Sequence, residues 1–284
     1  MNYQQLTLPS TRETADGITE VLAELGALAV TLTDAEDQPI FAPGVGEFPL
    51  WDHVLISALF AEDTDMQAII TVLNPQKYEI TLIPDQAWEH TWKDDFHRQC
   101  YNDRLWIYPS WDVPETRAQH SLILDPGMAF GTGKHQTTHL CLQWLAETIH
   151  DQDLVIDYGC GSGILALSAL TLGAKNAIAI DIDTQALDAT RQNAEQNHLS
   201  LQVVLPDQVL YMNADIVIAN ILANPLIELA PTLASLVKPD GLIALSGILT
   251  EQADKVSEAY APWLTFEAIR HNEEWVLLIG RKRQ

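Results

Sequence analysis

The feature that most restricts the fold of this chain is a set of five short apolar segments in its second half. They read LVIDYG, NAIAIDID, LQVVLP, ADIVIANI and GLIALSGI, and stretches of helical character separate most of them. Apolar strands that alternate with helices are typical of a parallel sheet buried on both faces. The last segment, LTFEAIRHNEEWVLLIGR, instead places two strands around a polar turn at 271–273. We therefore predict an α/β domain over 121–284, with a doubly wound, mostly parallel sheet and a C-terminal antiparallel hairpin.

The first 84 residues follow a different order of elements. Short strand-like segments alternate with two helical ones, and in 12–25 the residues Ile18, Val21, Leu22 and Leu25 share a face. The order β-α-β-β-α-β predicts a small ferredoxin-like α+β domain over 1–84. We interpret 85–120 as an aromatic-rich linker that begins with a helix, although an aromatic stripe at helical spacing is also typical of simple packing.

A glycine-rich turn follows the first strand of the larger domain, in VIDYGCGSGILALSAL. The dinucleotide fingerprint G-x-G-x-x-G would need glycine at 164, where the chain has Ile164. The segment instead matches D-x-G-x-G-x-G, from Asp157 through Gly159 and Gly161, a pattern of methyltransferases that use S-adenosyl-L-methionine (SAM) and have a Rossmann-like sheet. Glycines let the backbone pass close to a ligand. Turns of this kind also occur as plain structure.

Two polar residues lie at the ends of later strands of the same sheet. Asp181 ends the strand NAIAI-D, 22 residues after Gly159, where a carboxylate can accept hydrogen bonds from a ribose diol. Asp183 is expected to cap the following helix. Asn220 ends ADIVIAN and can orient a substrate nitrogen through its side-chain carbonyl, although an asparagine in such a turn can also lack a ligand. The sequence after it, Ile-Leu-Ala, has no aromatic ring to stack a planar acceptor, which disfavours nucleobases and glutamine amides.

The stretch LDPGMAFGTGKHQTTHLCL at 124–142 looks at first like a phosphate-binding loop. That loop needs glycine at 128 and a hydroxyl residue at 135, and the chain has Met128 and His135 there. The loop therefore has another ligand.

Taken together, LDPGMAFGTGKHQTT, DYGCGSGILALSAL, AIDIDTQAL, ANILANPL and LSGIL closely resemble the ribosomal protein L11 methyltransferase family, PrmA, along the whole chain. The resemblance implies a SAM-dependent N-methyltransferase acting on α-amino and lysine groups of that ribosomal protein, which the ferredoxin-like domain would recognise. It implies Thr138, Gly159, Asp181 and Asn220 as cofactor-binding residues. Asn220 is also our catalytic candidate, because it can orient the substrate nitrogen. We add Asp157, Gly161 and Phe130. Phe130 lies in the loop 125–138, which resembles the loop that covers the methionyl end of SAM in this family. Lys134 is not carried over, and His135 and His139 are candidates for a base.

Composition limits the partners and the compartment. The formal charge is −24, and residues 1–120 hold 20 acidic and 6 basic residues. Such a charge disfavours nucleic acid and anionic membranes and suits a basic partner, while solubility is the simpler alternative. No metal site, signal peptide or transmembrane segment is expected, and the three cysteines are expected to be thiols of a reducing cytosol. We expect a cytoplasmic monomer. A methyltransferase of the same fold acting on another protein or a small amine, or a non-catalytic SAM-binding protein, remains an alternative.

Overall fold

The computed structural model of the protein describes residues 2–36, 50–84, 97–114, 116, 118–125, 135–209 and 213–284. The chain divides into two compact units, Met1–Asp95 and Phe96–Gln284. Within the described ranges, no helix combines the length and apolar character needed to cross a membrane.

The first unit has the predicted ferredoxin-like order of elements. Its antiparallel sheet has the strand order β2-β3-β1-β4. Alternate residues of β1 and β3, among them Leu6, Leu8, Ile56 and Phe60, are buried on one face of the sheet, where they pack with residues of both helices. The elements are β1 (Tyr3–Thr11), α1 (Arg12–Glu24), β2 (Ala29–Asp34), β3 (His53–Ala61), α2 (Met66–Leu73) and β4 (Glu79–Ile83).

The second unit is built on a seven-stranded sheet that confirms the predicted α/β fold. The strand order is β10-β9-β8-β11-β12-β14-β13. The first five strands in this order run parallel, and β14 is antiparallel to both of its neighbours. The strands are β8 (Leu154–Tyr158), β9 (Asn176–Ile180), β10 (Gln202–Val204), β11 (Ala214–Asn220), β12 (Val237–Leu249), β13 (Leu264–Asn272) and β14 (Trp275–Lys282).

Helices cover this sheet, and buried apolar clusters lie on it. One cluster joins Val155 and Ile218 to α3 and α4, and another joins Ile156 and Val217 to the helices that follow β11 and β12. The apolar strands therefore are buried on both sides, as their composition predicts. The helices are α3 (Gln136–Thr148), α4 (Ile164–Thr171), α5 (Thr184–Gln196), α6 (Ala223–Glu228), α7 (Ala230–Leu236) and α8 (Ala253–Tyr260).

The C-terminal hairpin is present, but its turn is shifted by about two residues from the predicted 271–273. His271 and Asn272 pair with Val276 and Trp275, so the turn falls at 273–274. Glu273 takes a left-handed backbone conformation there, with φ of 53°. A polar sequence marks a turn less sharply than the pairing of the strands around it.

Much of the predicted linker, 85–120, belongs to the second unit. The strands β5 (Gln99–Tyr101), β6 (Leu105–Tyr108) and β7 (Ser121–Ile123) form a three-stranded sheet, in which β6 pairs parallel to β7. Tyr101, Leu105 and Ile107 are buried in the same cluster as α3 and α4. The compact part of this unit therefore starts well before the predicted boundary at 121.

Arg104 connects this small sheet to the ends of two helices. Its guanidinium donates to the carbonyl oxygens of Ala146 at 2.8 Å, Ile149 at 3.2 Å and Leu172 at 3.3 Å. Carbonyls in the last turns of α3 and α4 have no partner within their own helices, and a cation is favourable at this end of a helix. Residues 85–96 of the predicted linker helix, with Trp88 and Trp92, lie outside the described residues.

Candidate active site at the carboxyl edge of the parallel sheet

The glycine-rich turn lies between β8 and α4, as predicted. Gly159, Gly161 and Gly163 all have positive φ angles, of 80°, 54° and 78°. The amides of Gly159 and Cys160 donate to the carbonyl of Ile180, at 2.8 and 3.0 Å, and thereby fasten the turn to the end of β9. A Cβ atom at Gly159 would stand 2.3 Å from Cγ2 of Ile221. The turn therefore needs glycine at 159 for both its backbone conformation and its close approach to the residue after β11.

Asp157 is a fully buried carboxyl at the end of β8. Its Oδ2 accepts a hydrogen bond from the amide of Ala166, in the first turn of α4, at 3.0 Å. Its Oδ1 has no hydrogen-bond partner among the residues that the structure describes. Burial raises the pKa of Asp157 to about 7, an effect that the Ala166 amide opposes and the charge of Asp181 reinforces. The carboxyl is thus poised to change charge near neutral pH.

Asp181 follows β9 and bonds directly to the glycine-rich turn. Its Oδ2 accepts from the amide of Gly161 at 2.9 Å, and its Oδ1 accepts from the amide of Asp183 at 3.0 Å. A carboxylate can accept about four hydrogen bonds, so two sites remain for a diol. Asp183 caps α5 as predicted, because its side chain accepts from the amide of Gln185 at 2.8 Å.

Asn220 and Thr138 are brought together across 82 residues of sequence. Asn220 ends β11, which pairs with β8, and its Nδ2 donates to Oγ1 of Thr138 at 3.3 Å. Thr138 is buried in the first turn of α3. Within the described part of the chain, the buried Oδ1 of Asn220 finds no donor. A buried acceptor without a donor costs free energy, and an N–H group of a bound molecule would satisfy it.

The two histidines that the sequence offers as base candidates have structural contacts in α3. The ring of His135 accepts from the amide of Thr137 at 3.3 Å and so caps the helix, while the ring packs edge-on against Trp275 at 4.8 Å. His139 packs against Tyr101 at 5.1 Å, and burial lowers its pKa. The helix cap made by His135 and the packing of the His139 ring explain the presence of these two histidines without a role as a base.

The structure thus places six of the seven predicted site residues on the elements that meet at one edge of the sheet. Asp181 bonds to Gly161, Thr138 bonds to Asn220, and Asp157 ends a strand between those of Asp181 and Asn220. Phe130 and the rest of 126–134 lie outside the described residues. In those described, no group of three or more His, Cys, Asp or Glu side chains could hold a metal ion.

Sequence reasoning missed the residues that support this edge from α5. Thr190 and Asn193 bond to carbonyl oxygens of the glycine-rich turn, and Asn197 bonds to β7. Their spacing of three and four residues on one face of a predicted helix was the available signal.

The residues fit SAM as a cofactor, since the site offers a glycine-lined turn, a carboxylate beyond the neighbouring strand and a buried acceptor lacking a donor. Such a site at the carboxyl edge of this sheet, at the strand where the order reverses, defines a Rossmann-like, SAM-dependent methyltransferase.

Comparisons with known proteins give the family. A family-level sequence model described as Ribosomal protein L11 methyltransferase (PrmA) matches residues 2–283. A protein of Shewanella woodyi with the name ribosomal protein L11 methyltransferase is 46% identical over 294 residues, covering 100% of both chains. One of Pasteurella multocida with the same name is 47% identical over 292 residues, 99% of each chain.

A solved structure agrees with these sequence relatives. The crystal structure of ribosomal protein L11 methylase from Lactobacillus delbrueckii subsp. bulgaricus matches with a TM-score of 0.60 and 33% identity. The match covers 66% of this chain and 100% of the other. The chain belongs to the ribosomal protein L11 methyltransferase (PrmA) family, and SAM is its cofactor.

Proposed function

We propose that this protein transfers methyl groups from SAM to amino groups of ribosomal protein L11, both its N-terminal α-amine and its lysine side chains. The observation that carries the proposal is the buried Oδ1 of Asn220, which lacks a donor among the described residues and lies beside Thr138. An amine presents an N–H donor to such an acceptor. The names of the most similar relatives support the choice of L11 as substrate.

The protein must hold the amine lone pair, the methyl carbon and the sulfur of SAM in line, so that the C–S bond would break as the N–C bond forms and S-adenosylhomocysteine would leave. SAM supplies the methyl group when it is bound. We assign Asp181 to the ribose of the cofactor, and we assign the turn at 159–163 to the backbone that passes close to the cofactor. Asn220 accepts an N–H hydrogen bond and so fixes the nitrogen at the reacting end of the site. Thr138, which accepts from Nδ2 of Asn220, sets the orientation of that amide group.

The attacking amine must be neutral. Neutralising a lysine of ordinary pKa at pH 7 costs about 4–5 kcal/mol, against about 1 kcal/mol for an α-amine. Removing the amine from water lowers its pKa, because burial disfavours the charged form. Burial raises the pKa of the Asp157 carboxyl at this sheet edge, which supports a desolvated environment around it.

The test of the reaction uses purified L11 and SAM with variants of Asn220. Asn220→Ala should reduce methyl transfer at saturating SAM, whereas Asn220→Asp should retain part of it, because the carboxylate keeps an acceptor. Cofactor affinity is measured separately by calorimetry. Normal methyl transfer by Asn220→Ala would remove this residue from the reaction.

We further propose that the first unit recognises L11. The fragment that tests this role should begin near residue 96, since Tyr101, Leu105 and Ile107 are part of the core of the second unit. The fragment should bind SAM as the full chain does and fail to methylate L11. Full methylation of L11 by this fragment would contradict the assignment.

We also propose that the protein acts as a cytoplasmic monomer without direct contact to nucleic acid. The formal charge of −24 supports the last point, because phosphates would be repelled. Light scattering during size-exclusion chromatography would test the monomer, and a nucleic acid titration at low salt would test the absence of binding.

A further inference from the structure

Three polar residues on one face of α5 make contacts that the cofactor motifs do not explain. Thr190, Asn193 and Asn197 are three and four residues apart, which places them on the same side of the helix and its C-terminal cap. Thr190 is fully buried, and both asparagines are partly buried. Side chains with such strong donors are seldom buried without a defined partner.

Two of these residues hold the glycine-rich turn by its carbonyl oxygens. Oγ1 of Thr190 donates to the carbonyl of Gly161 at 3.0 Å, and Nδ2 of Asn193 donates to the carbonyl of Ser162 at 2.8 Å. The amide of Gly161 bonds to Asp181, just before α5. The peptide units on both sides of Gly161 are therefore tied to α5 or to the residue that leads into it.

Asn197 holds a different segment, the end of β7. Its Oδ1 accepts from the amide of Ile123 at 2.7 Å, and its Nδ2 donates to the carbonyl of the same residue at 2.7 Å. Nδ2 also donates to the carbonyl of Asn193 at 2.8 Å, which connects the two asparagines. A side-chain amide bonded to both polar groups of one residue does what a neighbouring strand would do.

We propose that Asn193 and Asn197 are positioning residues for SAM. They join the glycine-rich turn and the end of β7 to one helix, which itself begins beside the proposed ribose carboxylate Asp181. The turn and the carboxylate thereby keep a fixed relative placement before the cofactor binds, and Asn197 supports it indirectly, because it anchors the end of the helix beside Asn193 to β7. Pre-organisation of this kind lowers the cost of binding, since the binding site does not have to be ordered by the ligand.

The inference rests on the use of SAM by this site and is independent of the protein substrate. Its test is a titration of the full-length protein with SAM in the absence of L11. Asn193→Ala and Asn197→Ala should each weaken SAM binding on the order of tenfold, because each loses hydrogen bonds that hold the backbone in its binding geometry. The matched control is Gln192→Ala, an exposed residue of the same helix, which should bind SAM like the unchanged protein.

A second variant separates positioning from packing. Asn193→Asp has nearly the same shape but places a carboxylate against the carbonyl of Ser162, where it can only repel. Its SAM affinity should be as low as that of Asn193→Ala or lower, whereas a residue that only fills space would tolerate aspartate. Asn197→Gln keeps both the donor and the acceptor of the side-chain amide, one bond further from the backbone, and its SAM affinity should lie between that of Asn197→Ala and that of the unchanged protein. Because it is the milder change, it supplies the result if an alanine variant fails to fold.

Two further readouts distinguish positioning from a general loss of structure. Hydrogen exchange in the absence of SAM should accelerate at 159–163 for Asn193→Ala and at 121–125 for Asn197→Ala, and remain unchanged in β12. With L11 as substrate, KM for SAM should rise and kcat should recover at saturating SAM. The inference is overturned if the asparagine variants bind SAM like Gln192→Ala, or if exchange accelerates equally throughout the second unit.

Discussion

Replacing Asp181 by alanine gives the sharpest test of the cofactor site. The change removes the two acceptors that hold the amides of Gly161 and Asp183, at 2.9 and 3.0 Å, along with the oxygens assigned to the ribose diol. A hydrogen bond to a charged group contributes about 1.5–3 kcal/mol, so the loss of the ribose bonds should weaken SAM binding roughly ten- to a hundredfold. The loss of order in the turn adds to this effect.

Asp183→Ala is the matched control for this prediction. Asp183 is two residues away and also a carboxylate that accepts a backbone amide, but its partner is Gln185 in the first turn of α5. Losing this cap should cost about 1 kcal/mol of folding stability and leave SAM affinity almost unchanged. Calorimetric titration with SAM, together with thermal unfolding, measures both quantities. Equal SAM affinity for the two variants would refute the assignment of Asp181.

The other predictions address the charge of Asp157, the space around Gly159 and the electrostatic steering of L11. Asp157 is neutral below its pKa of about 7 and anionic above it, and an anion at this position favours the cationic cofactor. The affinity for SAM should therefore rise between about pH 6 and pH 8. In a series of titrations over this range, the SAM affinity of Asp157→Asn should change little. Gly159→Ala should abolish measurable SAM binding, because its Cβ would lie 2.3 Å from Ile221 and the φ angle is 80°; binding like that of the unchanged protein would show that the turn adapts. Raising salt to about 0.5 M should lower kcat/KM for L11 far more than it weakens SAM binding, and neutralising Glu20 and Glu24 on α1 should flatten that response; an unresponsive kcat/KM would eliminate steering.

The sequence predicts the parts of this fold that depend on local pattern. The apolar strands β8, β9 and β11 stand out because both of their faces are buried. Asp181 and Asn220 could be assigned to one site because the carboxyl ends of parallel strands meet at one edge. The ferredoxin-like unit can equally be predicted from the sequence, because the spacing of its apolar residues changes between helix and strand.

Prediction from the sequence fails where the structure depends on contacts between distant segments. The short strands β5 and β6 fall within the predicted linker because three or four residues carry too little periodic signal. The parallel pairing of β6 with β7 is not visible in the sequence of either segment. The bond between Thr138 and Asn220 spans 82 residues, and that between Asn197 and Ile123 spans 74. The raised pKa of Asp157 also depends on burial, which only the packed structure reveals.

The measurement that tests the central claim most directly is mass spectrometry of ribosomal proteins after incubation with this protein and SAM carrying a labelled methyl group. The substrate should be a complete set of ribosomal proteins, so that L11 competes with many other basic proteins. We predict that label appears on L11, at its α-amino group and at lysine side chains, and that Asp181→Ala removes it at limiting SAM. Label on a different protein, or none on L11 while SAM binds normally, would contradict the proposed function.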